Sequence, residues 1–248
     1  MYKRILAAFA GLLIGAAASA APVDPTAGTF GDLGAVGSNV TFGGTGIPTT
    51  NANYETFTDR LGNTLLLGLS ITPRFSAPTP ANDGNGTYDV QPGLAGSPNG
   101  TGVFWNFSFY AELFPATGSG LTISDIGLQL LYDLDSAAGT DILDLGVMSI
   151  ALFPNTTSTI AQNSQNLFFS YLATGIPGFN TPGLNTFDPN FGEYSFLLRA
   201  TDFSPDATGG GAVVADAGLA PVPVPAGLPL LLAGLGGLAL LRTRRSRS

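Results

Sequence analysis

Apolar and polar residues alternate along much of the chain with a period of two, which is the pattern of half-buried β-strands. The longest example spans residues 103–113. One set of alternate positions holds Val103, Trp105, Phe107, Phe109, Ala111 and Leu113, and the other holds Asn106, Ser108 and Glu112. We predict a strand here, with the apolar set, Trp105 included, in the core and the polar set facing solvent.

The same alternation predicts about eight strands in all. The others cover residues 53–60, 64–75, 121–135, 142–153, 166–172, 193–201 and 211–219. Gly62-Asn63 is a tight-turn signal and predicts a hairpin between the first two. Residues 21–51, 76–102 and 175–190 are rich in turn-forming residues and are expected to be loops. Short strands separated by such turns predict an all-β fold, a single antiparallel β-sandwich.

The N-terminus has the three parts of a secretory signal peptide. Lys3 and Arg4 precede an apolar stretch at 5–17, and the small residues Ala18-Ser19-Ala20 follow it. We therefore expect the general secretion machinery to export the chain and signal peptidase to cut it before Ala21.

The C-terminus combines a short apolar segment with a basic end. Residues 228–241 carry no polar side chain, and Arg242, Arg244, Arg245 and Arg247 follow. Fourteen helical residues span only about 21 Å, against about 30 Å of bilayer hydrocarbon. The segment is thus a thin transmembrane helix, and its arginines predict a cytoplasmic C-terminus with the body outside.

A proline-rich motif stands just before this apolar segment. It reads Val222, Pro223, Val224, Pro225, Ala226 and Gly227. Motif, apolar helix and basic end together resemble the VPLPA variant of the PEP-CTERM sorting tail, with Val224 in a position where that family usually has Leu. The resemblance implies a bacterial envelope protein that is held transiently in the inner membrane. An exosortase, a membrane-embedded cysteine transpeptidase, would then recognise residues 222–227 and cleave in or near them.

One other function remains open for this tail, and one does not fit it. A permanent tail anchor carrying an exposed sensor domain would keep residues 242–248 in the mature protein. A GPI signal does not fit, because such signals stay hydrophobic to their end. The predicted organisation is a signal peptide at 1–20, a β-sandwich ectodomain at 21–220 and a sorting tail at 221–248.

Charge and composition narrow the chemistry of the ectodomain. Between residues 21 and 221 there are three arginines against 17 acidic residues, a net charge of −14. Such a surface does not favour binding of nucleic acid, which requires basic contacts.

The chain also has no Cys and no His, which excludes thiol nucleophiles, Ser-His-Asp triads and the usual zinc sites. Paired carboxylates could serve a glycosidase, but nothing in the sequence marks a cleft. We predict that the protein is not an enzyme.

The densest acidic cluster is a candidate cation site. If residues 128–135 form a strand, Asp133 and Asp135 share its outer face, about 6.6 to 6.8 Å apart. A loop could bring Asp141 beside them, and such oxygen-rich sites suit calcium. The spacing does not match an EF-hand. The alternative is a solvated acidic turn with no cofactor.

These features lead to one functional expectation and one competitor. Segments 132–141, 164–167 and 187–196 loosely resemble the bodies of PEP-CTERM-tailed proteins, which implies a recurring sandwich without an enzymatic role. We expect a secreted, cell-surface protein that is a structural or adhesive component of extracellular matrix or biofilm. The competing function is a calcium-dependent module that binds extracellular polysaccharide.

Overall fold

The computed structural model describes residues 28–75, 77–96, 100–137, 141, 143–150, 157–203 and 212–219. The predicted signal peptide and sorting tail lie outside these residues. The described strands are β1 Thr29–Gly31, β2 Ala52–Thr58, β3 Thr64–Pro73, β4 Ala81–Asn82, β5 Thr87–Val90, β6 Leu94–Ala95, β7 Gly102–Val103, β8 Trp105–Phe114, β9 Leu128–Tyr132, β10 Gly146–Ser149, β11 Ile160–Gln165, β12 Phe179–Asn180, β13 Gly192–Ala200 and β14 Ala212–Leu219. Short 3-10 helices span Leu33–Ala35 and Ile123–Asp125, and the α-helix α1 spans Ser170–Thr174.

The protein is predominantly β, as predicted, and its strands form two main sheets. The first has the order β1-β2-β3-β8-β11, and the second has the order β12-β10-β9-β13-β14-β5-β4. All described pairs are antiparallel except β14 with β5, which run parallel. The expectation of an entirely antiparallel arrangement is therefore wrong at this one pair. The described strands outnumber the predicted eight, largely because short strands such as β1, β4 and β12 form inside predicted loops.

The predicted hairpin between β2 and β3 is confirmed. The two strands pair in register from Asn53 opposite Leu69 to Thr58 opposite Thr64. The Asp59 carboxylate accepts the main-chain N–H groups of Leu61 and Asn63, each at 2.8 Å. Gly62 adopts φ +83° in this turn, a conformation that glycine reaches without steric cost.

Three predicted strands need correction. The one at 121–135 shrinks to β9, because a 3-10 helix at Ile123–Asp125 precedes it, and the one at 142–153 is represented by β10. The strand predicted at 166–172 is wrong: β11 lies upstream, and α1 begins at Ser170. β11 pairs with β8 from Ile160 opposite Glu112 to Gln165 opposite Phe107. Pairing stops there because the next residue, Asn166, turns its side chain to the main chain of β8.

Apolar side chains of both sheets form one core. Phe107 of the first sheet stacks on Phe196 of the second, with ring centroids 4.6 Å apart. The ring centroids of Trp105 and Tyr194 lie 6.3 Å apart, and the Trp105 ring packs edge-to-face against Phe196. Trp105 is 1% exposed, so its predicted place in the core is confirmed. The apolar alternation of β8 therefore marks the face that packs on the other sheet.

The opposite face of the first sheet is also buried, under residues 32–50, which we call the covering segment. Leu33 and Phe42 of this segment cluster with Leu66 and Tyr110 of β3 and β8. Gly68 permits the close approach, because a Cβ there would come within 2.6 Å of the Leu33 side chain.

Two of the three polar side chains of β8, those of Ser108 and Glu112, therefore do not face solvent, and that part of the prediction is wrong. Ser108 is fully buried, and Glu112 is only 5% exposed. The Ser108 hydroxyl lies 2.9 Å from the hydroxyls of both Thr72 and Ser164. Hydrogen bonding of this kind offsets the cost of burying polar groups.

Candidate functional site

Two side chains attach the covering segment to the first sheet. The Glu112 carboxylate accepts the Ser38 main-chain N–H at 2.9 Å, the Tyr110 hydroxyl at 2.7 Å and the Ser38 hydroxyl. Burial, reinforced by the neighbouring Glu112, raises the pKa of Tyr110, so that tyrosine stays a donor. Gln162 of β11 accepts the Thr41 N–H at 2.9 Å and donates to the Asn39 carbonyl at 3.0 Å. These contacts fix the position of the loop at residues 44–48, which follows in the covering segment.

A cavity of about 420 Å³ lies between this loop and the strand ends. It is found where β3 ends and β8 begins, since Pro73 pairs with Trp105. Its lining consists of residues 44–48 of the covering segment together with Pro73, Arg74, Phe75, Asn106 and Phe169. The volume falls within the range of small-molecule sites, and the lining is mostly apolar with a few polar groups.

Arg74 is the charged residue of this cavity and is only 6% exposed. Its Nη2 donates to the carbonyl of Gly100 at 3.2 Å. Its Nη1 is buried and has no hydrogen-bond partner among the described residues. Gly102 makes room for the guanidinium, because a Cβ there would overlap Nη1. Desolvation lowers the pKa of Arg74, which indicates that burial disfavours its charge.

Phe75 stands beside this guanidinium in a strained conformation. Its φ is +53°, which is unusual for a bulky residue and costs backbone energy. The side chain is nevertheless 61% exposed, so core packing does not account for the conformation. The Arg74 guanidinium carbon lies 5.1 Å from its ring centroid, within cation-π distance. Phe75 therefore lines the cavity next to the cation while remaining largely exposed to solvent.

Asn166 anchors the start of β8, whose residue Asn106 lines the cavity. The side chain is fully buried, and its Nδ2 lies 2.7 Å from the Trp105 carbonyl and 2.8 Å from Asn106 Oδ1. Its Oδ1 accepts the main-chain N–H groups of Val103 at 3.2 Å and Phe168 at 3.1 Å. Sequence reasoning missed Asn166, Arg74 and Phe75 as site residues, because no local pattern around them differs from an ordinary strand end.

The residues of the predicted calcium site take separate local roles. β9 ends at Tyr132, so Asp133 does not share an outer strand face with Asp135; it is 1% exposed and accepts the Asp135 N–H at 2.7 Å. Asp135 accepts the Thr186 hydroxyl at 2.6 Å, and Asp141 accepts the Leu143 N–H at 2.9 Å.

In the described part of the chain, no three or more His, Cys, Asp or Glu residues are grouped so that they could hold a metal ion. The calcium site at Asp133, Asp135 and Asp141 stays a prediction. It requires that millimolar calcium raise the thermal midpoint of the protein, and that the rise disappear in Asp133→Asn/Asp135→Asn.

The residues predicted for export and sorting lie outside the described residues. These are the signal-cleavage residues Ala18, Ala20 and Ala21, the motif at 222–227 and the arginines at 242, 244, 245 and 247. Among the residues that the structure does describe, no helix is both long and apolar enough to cross a bilayer.

Comparisons with known protein families, with curated proteins and with solved structures found no match for this chain.

Proposed function

We propose that this protein is exported, sorted to the cell surface and released from the inner membrane by exosortase cleavage of its C-terminal tail. The observation that carries the proposal is the order of three features in the last 27 residues. The proline-rich motif at 222–227 comes first, the apolar segment at 228–241 second and four arginines last. A signal peptide at the other end of the chain supports the same route.

The physical properties of the tail support its role as a processing site. Pro223 and Pro225 favour an extended backbone and oppose helix formation. The motif therefore stays outside the apolar helix, at the outer surface of the membrane, where a membrane-embedded peptidase reaches it. The short apolar segment suits a transient intermediate better than a lasting span.

The body supports a structural or adhesive role rather than catalysis. We propose that the two sheets form a β-sandwich with one shared core, which folds without disulfide bonds. Its net charge of −14 between residues 21 and 221 keeps copies apart in solution and attracts cations. A stable acidic domain of this kind suits a component of extracellular matrix or biofilm.

The C-terminus of the mature protein tests the proposal. We would measure the intact mass and the C-terminal peptide of protein purified from its native host, in envelope and medium fractions. The expected result is loss of everything beyond about Pro225. A mature protein that retains Arg242 to Ser248 would overturn the proposal and favour a permanent anchor.

Two variants make this measurement specific. Val224→Leu restores the usual residue of the resembled motif and should leave processing unchanged. Pro225→Asp alters the motif without touching the apolar segment, and uncleaved protein should accumulate in the membrane fraction. Equal processing of both variants would show that the motif is not what the peptidase recognises.

A further inference from the structure

The guanidinium of Arg74 has more donors than the described structure satisfies. A guanidinium carries five N–H donors, and the one described hydrogen bond joins Nη2 to a neutral carbonyl, that of Gly100. Nη1 is buried without a partner among the described residues. A buried charge of this kind is costly unless an anion or a set of acceptors compensates it. Within the described residues, the Arg74 guanidinium is therefore a buried cation whose Nη1 has no compensating acceptor.

The neighbouring aromatic ring is held at an energetic cost that its packing does not explain. Phe75 has φ +53°, whereas a glycine would adopt this conformation freely. The residue is 61% exposed, and its ring lies beside the guanidinium. Strained residues of this kind concentrate at ligand sites. An exposed ring next to a buried cation offers a flat surface for a ligand and a partner for its charge.

The cavity that these two residues line has room for one small ring. Its volume is about 420 Å³. Ile47, Pro48 and Phe169 give it apolar walls, and Asn106 and Thr45 add uncharged hydrogen-bonding groups. No acidic residue is part of this lining, although the ectodomain as a whole is strongly acidic. The site thus combines one cation, two polar side chains and apolar surface.

We propose that this cavity binds a ring-shaped organic carboxylate, with Arg74 as the charge partner of the carboxylate and Phe75 as the surface on which the ring stacks. Arginine is the side chain best suited to carboxylate recognition, because its planar fork matches the two oxygens. Sugar acids and aromatic acids share this chemistry. The proposal is independent of the sorting tail, and either one can fail without the other.

Calorimetric titration of the purified full-length protein tests the proposal. The probes are D-glucuronate, benzoate and the uncharged sugar D-glucose, each up to about 10 mM. At least one of the two acids should bind, and glucose should bind at least about tenfold more weakly. Binding of glucuronate alone would identify a sugar-acid site, and binding of benzoate an aromatic-acid site. Absence of binding by both acids, or equal binding of glucose, would overturn the proposal.

Three variants separate ligand binding from folding. Arg74→Met removes the charge at similar volume, and Asn106→Asp places a competing carboxylate in the cavity while keeping the oxygen that accepts from Asn166. Phe75→Gly removes the ring and relieves the backbone strain. Each of the three variants should weaken binding of the acid by about tenfold or more. Asn106→Asp and Phe75→Gly should nevertheless raise the thermal midpoint of the protein, because the first places a carboxylate near Arg74 and the second relieves the backbone strain.

The control for Phe75→Gly is Phe191→Ala, which alters another exposed aromatic residue outside the cavity lining. This control should bind the acid as the unmodified protein does. Unchanged affinity in Asn106→Asp and Phe75→Gly would overturn the proposal even if Arg74→Met failed to fold.

Discussion

Glu112 is the charged side chain that attaches the covering segment to the sheet, and the substitution Glu112→Ala tests its contribution. The change removes a carboxylate that accepts from the Ser38 N–H, the Ser38 hydroxyl and the Tyr110 hydroxyl. Ser38 is exposed, so water can replace the carboxylate at its N–H and its hydroxyl. Tyr110 is fully buried, so the variant leaves its hydroxyl without this acceptor in the interior.

The expected loss of stability is about 3 kcal/mol. A hydrogen bond to a charged group contributes about 1.5 to 3 kcal/mol, and an unsatisfied buried donor costs about 1 to 3 kcal/mol. The three bonds are not additive, because removal of the carboxylate also removes its own desolvation cost. Glu112→Gln should cost only about 1 kcal/mol, since its amide oxygen still accepts from Ser38 N–H and Tyr110 while its NH₂ donates to the Ser38 hydroxyl.

Equilibrium unfolding in urea measures these differences as shifts in midpoint at constant slope. Hydrogen exchange at the Ser38 amide reports the local effect, and we expect exchange to accelerate in Glu112→Ala and to change little in Glu112→Gln. An alanine variant that lost less than about 1 kcal/mol, or that left Ser38 exchange unchanged, would refute the assigned attachment. Equal losses in the two variants would show that the charge alone matters.

Three further predictions concern the strand ends and the core. Asn166→Ala should lower the free energy of unfolding by about 3 kcal/mol, measured in urea, because it frees several buried main-chain groups at the start of β8. Gly127→Ala should lower the stability of the fold more than Gly118→Ala. Both glycines have positive φ, but of the two only Gly127 has neighbouring side chains that a Cβ would overlap. Calorimetric midpoints measure the difference. Burial raises the pKa of Tyr132, Tyr171 and Tyr194 to about 12. The stability that these buried hydroxyls provide is therefore complete below about pH 10 and is lost as the pH rises through about 12. Absorbance at 295 nm should show the three tyrosines ionising together with unfolding.

Each of these predictions has an outcome that contradicts it. Unchanged stability in Asn166→Ala would mean that water replaces the amide without cost. Equal midpoints for the two glycine variants would remove the steric argument and leave only the backbone conformation. Ionisation of the three tyrosines near pH 10 in the folded protein would show that their hydroxyls are open to solvent.

The strands that could be predicted are those whose pattern is a local property. The alternation in β8 and β13 exists because successive side chains of a strand point to opposite faces, so apolar partners such as Phe107 and Phe196 could be assigned to the core. The same reasoning failed at 166–172, where Leu167, Phe169 and Tyr171 also alternate but a turn and a short helix form. Pairing with β8 decides the end of that strand, and pairing is not a local property.

The sequence by itself determined the apolar parity of the long strands, the hairpin at Gly62-Asn63 and the acidic character of the body, because each depends on neighbouring residues or on a count. Only the tertiary structure decided that Glu112 and Ser108 are buried and that a cavity forms beside Arg74. Those results require contacts between residues distant in the chain, such as Ser38 with Glu112. A strand's own alternation shows that it has two faces, but it does not show which distant segment covers the second one.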